Sequence, residues 1–96
     1  MKSLDEILDR LRAEKPLLQE TYHVSELGVF GSVSRGEAES TSDIDIVVSF
    51  NAPIGLDFVD LADHLEALLQ EKVDLVPRNA IRPHYWEVIA PEVRYV

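Results

Sequence analysis

Asp43-Ile44-Asp45-Ile46-Val47-Val48-Ser49-Phe50 alternates with the two-residue period of a β-strand. Ile44, Ile46, Val48 and Phe50 share one face, and Asp43, Asp45, Val47 and Ser49 share the other. Residues i and i+2 of a strand project the same way, with Cα atoms about 6.5–7 Å apart. Two carboxylates so placed repel one another. They can instead converge on a pair of metal ions about 3.5–4 Å apart. Serine or threonine at both outward positions would pack equally well, so the aspartates demand a chemical reason.

Upstream, Glu26-Leu27-Gly28-Val29-Phe30 predicts a short strand that ends at Gly31-Ser32. Residues 31–42 are small, polar and glycine-bearing, which predicts a loop with room for one helical turn. Gly31 permits close backbone approach, and the turn after it offers free N–H groups to an anion. Ser32 adds a hydroxyl, Arg35 can neutralise a phosphate oxygen, and Gly36 lets the loop reverse.

Downstream of the loop at 51–55, Phe58, Leu61, Ala62, Leu65, Leu68 and Leu69 recur at helical spacing, predicting a helix over Asp57–Gln70. Its wet face carries Asp57, Asp60, Asp63 and Glu66. Val73-Asp74-Leu75-Val76 predicts a third strand, stopped by Pro77. If that strand neighbours the second, Asp74 shares a face with Asp43 and Asp45. Three hard oxygen donors favour Mg²⁺ or Mn²⁺ over zinc, and Mg²⁺ usually completes its shell with phosphate oxygens. A nucleoside triphosphate is the natural completion.

At the N-terminus, Ser3 and Glu6 form a capping box ahead of Leu4, Ile7, Leu8 and Leu11, predicting a helix over about 4–14. Pro16 is expected to kink it or to start a second short helix through Leu17, Leu18 and Tyr22. The tail predicts a helix near 80–89, with Ile81, Tyr85, Trp86 and Ile89 packed on the sheet, and an extended piece over 93–96. The element order implies a small α/β (α+β) sandwich, with a mixed sheet of three to four strands and helices packed on one face.

Ninety-six residues suffice for one modest core and no more, so residues 1–96 are expected to be a single domain. Hydrophobic residues make up 46% and charged residues 28%, the make-up of ordinary globular material. Nine Lys and Arg against 18 Asp and Glu give a net charge of −9, which argues against gripping nucleic acid by its phosphates. The same charge suits metal ions, metal-neutralised nucleotides and basic protein partners. With no cysteine, disulfide frameworks and Cys-based zinc sites are excluded. Met1-Lys2-Ser3-Leu4-Asp5-Glu6 turns acidic where a signal peptide would turn apolar, and no run approaches the ~20 apolar residues of a membrane span. A cytoplasmic domain is expected.

An isolated Asp-x-Asp is most often a solvated strand, and a lone Gly-Ser an ordinary turn. Their conjunction, in the order strand, Gly-Ser, loop, Asp-x-Asp strand, helix, strand with a single Asp, is far more specific. Phe30-Gly31-Ser32-Val33-Ser34-Arg35-Gly36-Glu37-Ala38, Ser42-Asp43-Ile44-Asp45-Ile46-Val47-Val48 and Lys72-Val73-Asp74-Leu75-Val76 resemble the minimal nucleotidyltransferase domains of the DNA-polymerase-β-like superfamily. The likeness spans nearly the whole chain, and Ile46 stands where the family more usually has Leu. It implies that Asp43, Asp45 and Asp74 coordinate two Mg²⁺ ions and form the catalytic triad. It implies further that Gly31 and Ser32 hold the β- and γ-phosphates of a nucleotide, with Arg35 assisting. Chains this short look like the antitoxin half of HEPN/MNT modules. There the partner is a helical HEPN ribonuclease toxin, and AMP from ATP is moved onto one of its tyrosines.

Two other functions remain open at this point. One is a binding-only antitoxin, though degenerate relatives tend to lose an aspartate and this chain keeps all three. The other is the catalytic subunit of a two-chain enzyme acting on a small molecule. His23, His64 and His84 lack ligand spacing and read as surface or helix-face residues. Glu37 and Glu39 read as solvated loop charges. Edge strands would permit pairing with a second copy, but nothing demands it.

Overall fold

Ser3 caps the first helix, its Oγ accepting the Glu6 N–H at 3.2 Å. The computed structural model describes residues 2–96, and in it α1 runs over Leu4–Tyr22, straight past Pro16. The expected break is absent because Pro16 lies on the exposed side, where water can take the carbonyl it leaves unpaired. Ile7, Leu11 and Leu18 fall on one stripe and are fully buried, and that burial holds the second half of the helix in line. His23 ends it in the left-handed region at φ 58°, with its N–H bonded to the Leu18 carbonyl.

The elements that follow are β1 (Val24–Phe30), α2 (Gly31–Ser34), β2 (Ile44–Phe50), α3 (Asp57–Leu69), β3 (Val73–Pro77), α4 (Pro83–Ile89) and β4 (Arg94–Tyr95), with 3-10 turns at Arg78–Ala80 and Ala90–Glu92. They build a four-stranded mixed sheet in the order β3-β2-β1-β4. β2 is antiparallel to β1 and parallel to β3, and β4 is antiparallel to β1. The parallel pair requires a crossover, which α3 supplies.

One face of the sheet carries the core. Leu27 and Val29 of β1, Ile44, Ile46 and Val48 of β2 and Leu75 of β3 pack with Ile7, Leu8, Leu11 and Leu18 of α1 and Leu61, Leu65 and Leu69 of α3. On the opposite face the C-terminal segment passes close to β1. A Cβ at Gly28 would stand 2.5 Å from Val93 Cγ1 and 3.2 Å from Tyr95 Cδ1, so only glycine allows this approach.

The tail departs from the expected single helix. Pro83 starts α4 and holds Arg82 extended, so residues 78–80 form a separate 3-10 turn. Tyr85 is exposed and lies against His84, not on the sheet, while the Trp86 ring sits 3.9 Å beneath the Arg78 guanidinium. No described helix is long and apolar enough to cross a membrane.

Candidate active site

The chemistry-bearing residues meet at one end of the sheet, where β1 finishes and β2 and β3 begin. Parallel pairing places Asp45 directly beside Asp74, and antiparallel pairing places Phe30, the residue before Gly31, on the other side of Asp45. Adjacent strands lie about 4.8 Å apart, so the two carboxyl groups are neighbours on one face of the sheet. Asp45 is half-buried, whereas Asp74 is exposed on the edge strand. Asp43 is exposed one residue ahead of β2 and within electrostatic reach of Asp45.

Gly31 adopts φ +76°, a conformation that L side chains rarely take, and its backbone lies directly against the Asp45 carboxylate. A Cβ at this position would collide with Asp45 Oδ2. The bare glycine thus makes a notch between the Gly-Ser turn and the aspartate strand. Ser32 and Val33 follow in α2, a single turn with no side-chain cap, which closes as the Arg35 N–H bonds to the Gly31 carbonyl at 3.1 Å.

Burial, with Asp74 and then Asp43 pressing like charge on it, pushes the Asp45 carboxyl up to about 6, and Arg35 offsets this in part. A group in this condition is relieved by a proton or by a cation. All three donors are hard oxygens, the kind that suits Mg²⁺ or Mn²⁺. Among the described residues no three acidic or histidine side chains already converge as a finished cage. The residues fit a divalent cation whose arrival would draw them together.

The raised Asp45 value has a consequence for stability. Between the ordinary 3.8 and about 6, the folded protein holds a proton that the unfolded chain has released. The group's contribution is therefore complete below about pH 4 and is lost as the pH rises through about 6. At full weight the displacement is worth about 3 kcal/mol, but solvent around a half-open carboxylate leaves on the order of 1 kcal/mol. In chelator-treated protein, Asp45→Asn should be more stable than the parent by that amount at pH 7.5 and equal to it at pH 4. Thermal unfolding at the two pH values checks this, and a variant no more stable at pH 7.5 would refute the crowding.

Arg35, expected to be available to phosphate, is engaged. Its Nε donates to Glu37 Oε2 at 3.1 Å and its Nη1 to Glu92 Oε2 at 2.8 Å. Both bonds hold the guanidinium above its ordinary pKa, the Glu92 bond more strongly. Glu37 is thus not a free loop charge, and its spacing from Arg35 offered a signal in the sequence. Glu92 offered none, being 57 positions away. Two further residues gain partners by folding: Glu66 Oε2 accepts the Val73 N–H at 2.9 Å at the start of β3, and His64 Nε2 lies 2.6 Å from Glu14 Oε2 between α3 and α1.

A hollow of about 420 Å³, flanked by Ser42, Asp43 and Lys72, touches Asp43. Another, of about 530 Å³ and lined by Phe50, Phe58, Pro77 and Arg78, lies at the opposite end of β2 and β3. Neither hollow is lined by Gly31, Ser32, Asp45 or Asp74.

Comparison with known proteins places the chain in a family. The profile of the nucleotidyltransferase domain family matches residues 4–96. The protein adenylyltransferase MntA of Thermococcus cleftensis is 44% identical over 97 residues, covering 100% of this chain and 98% of that protein. A solved structure described as a "putative minimal nucleotidyltransferase" superposes with a TM-score of 0.83 at 33% identity, over 97% of this chain and 95% of the other. A crystal structure of a toxin–antitoxin with AMP-PNP gives a TM-score of 0.67 at 25% identity, over 95% of this chain and 69% of that one. The chain belongs to the nucleotidyltransferase domain family, as one of its minimal nucleotidyltransferases.

Proposed function

We propose that the protein is a Mg²⁺-dependent adenylyltransferase that moves AMP from ATP onto a tyrosine hydroxyl of a helical HEPN-type ribonuclease, acting as that toxin's antitoxin. The observation that carries this reading is the Asp45–Asp74 register pair set against the bare backbone of Gly31. Gly31 and Ser32 hold the terminal phosphates in the notch, and Arg35 neutralises one of their oxygens. Asp43, Asp45 and Asp74 would hold the metal, which would supply charge neutralisation at the transferring phosphoryl and a lowered pKa for the acceptor hydroxyl.

The acceptor oxygen attacks the α-phosphorus. A new P–O bond forms as the bond from that phosphorus to the oxygen bridging to the β-phosphate breaks, and pyrophosphate leaves. The acceptor proton passes to the Asp74 carboxylate. Asp74 is suited to this role because it is exposed on an edge strand, open to a hydroxyl presented by another protein. No covalent enzyme intermediate is needed.

The name of the Thermococcus relative supports a protein acceptor, and the neighbouring complex with AMP-PNP supports both an adenine nucleotide and a toxin partner. The net charge of −9 favours a basic partner over direct nucleic-acid binding. Residues 1–96 are read as one such unit, working in the cytoplasm.

The test is isothermal titration of ATP, GTP, CTP and UTP with and without Mg²⁺, using the protein alone and with a helical HEPN-type ribonuclease as candidate partner. Magnesium-dependent binding of ATP, followed by AMP transfer to the partner, is the expected result. Silence toward every nucleotide in both preparations would remove the enzyme reading and leave a protein that masks its partner by contact.

A further inference from the structure

Two contacts from the phosphate-loop turn converge on one residue of the C-terminal segment. Arg35 Nη1 donates to the Glu92 carboxylate at 2.8 Å, and the Ser34 hydroxyl donates to the Glu92 backbone carbonyl. The second bond fixes the backbone of Glu92 beside α2, and the first directs its side chain onto the guanidinium. Glu92 is only 19% exposed, against 65% for Glu37, the other carboxylate on Arg35. A carboxylate so sheltered is held by its partner and is not a charge left in solvent. β4 follows within two residues and is paired to β1, which anchors the segment on the sheet.

A guanidinium carries five N–H donors in a rigid plane. Glu37 and Glu92 take one each, leaving three for an anion. Two carboxylates on different edges also define the plane of the group, which a long arginine side chain alone would not. We infer that Glu92 is a positioning residue for nucleotide binding: it holds Arg35 in one orientation, with three N–H groups free for the polyphosphate. The inference rests on the proposed binding of ATP at this site. The opposite arrangement is a carboxylate that competes with phosphate for Arg35, and it predicts the opposite sign.

The experiment is a double-mutant cycle on Mg²⁺-dependent ATP binding with Glu92→Gln, Arg35→Ala and the pair together. Thermal midpoints are recorded for each protein. Glu92→Gln should weaken binding about 10-fold, within the range seen for coupled neighbours. In the Arg35→Ala background the same change should alter binding less than about 2-fold, because Glu92 acts only through the guanidinium. A merely structural role would instead give losses that add. If Glu92→Gln fails to fold, Glu92→Asp replaces it in the cycle, since it keeps the charge but shortens the reach, and the same loss is expected.

Unchanged or tighter ATP binding in the Glu92 variant, or additive losses, would overturn the inference while leaving the nucleotide site intact. A parent protein that binds no ATP would instead overturn the functional reading, and this inference with it.

Discussion

Replacing Asp45 with Asn should lower AMP transfer by about 10³-fold or more, a loss of roughly 4 kcal/mol of transition-state stabilisation. Asp45 is flanked by Asp74 on one strand and by the end of β1 on the other, and its carboxylate touches the Gly31 backbone. The amide of Asn can fill the same space but brings no charge to a cation. Asp74→Asn should cost a similar amount, and the double variant little more than either alone, because carboxylates that share one cation site act as a unit. Transfer of label from α-³²P-ATP to the partner protein measures this. A single variant within 10-fold of the parent would remove the pair from the chemistry. Misfolding is not a competing explanation, since Asp45→Asn is expected to stabilise the metal-free protein.

Gly31→Ala should be the most damaging single change to stability at the site. Its φ of +76° costs an alanine about 1–2 kcal/mol. The new Cβ would also drive into Asp45, whose Cγ and Cβ lie 3.0 and 3.3 Å away, and such overpacking adds about 1–3 kcal/mol. The sum, about 2–5 kcal/mol, lowers the melting temperature of a chain this size by about 8 °C or more. Nucleotide binding should disappear with it, because the notch is filled. Gly36→Ala is the control: its φ is +74°, but nothing lies within 4 Å of the added carbon, so only the backbone term applies. Thermal unfolding of the two variants side by side separates the terms. Equal losses would mean that the approach of Asp45 to Gly31 does not constrain the site.

The elements that repeat most strongly were legible from their spacing. β2 alternates over Ile44–Phe50 except at Val47, which is buried on the opposite face, and α3 keeps its apolar stripe over Asp57–Leu69, so a local rule nearly suffices for each. α1 was legible only in its first half. Proline penalises a helix locally, whereas the burial of Leu18 that outweighs the penalty comes from packing against other elements. The tail was least legible, since residues 78–96 bury no side chain fully and carry no stripe to read.

The chain alone dictates which residue types stand at which spacing. Alternation brings Asp43 and Asp45 to one face, and the Gly-Ser turn must follow the first strand because periodicity ends there. These are properties of a few consecutive residues, and the geometry of a strand or a turn converts them directly into direction. The meeting of Asp45 with Asp74, 29 positions apart, depends on β3 lying parallel beside β2 in one register and no other. A slip of one residue would turn Asp74 into the core and Leu75 out to water, so burial of the aliphatic face selects the register that builds the site. The hold of Glu92 on Arg35 follows from the docking of the C-terminal segment against β1 at Gly28. No local pattern encodes that contact, because its two halves become neighbours only when the whole sheet has closed.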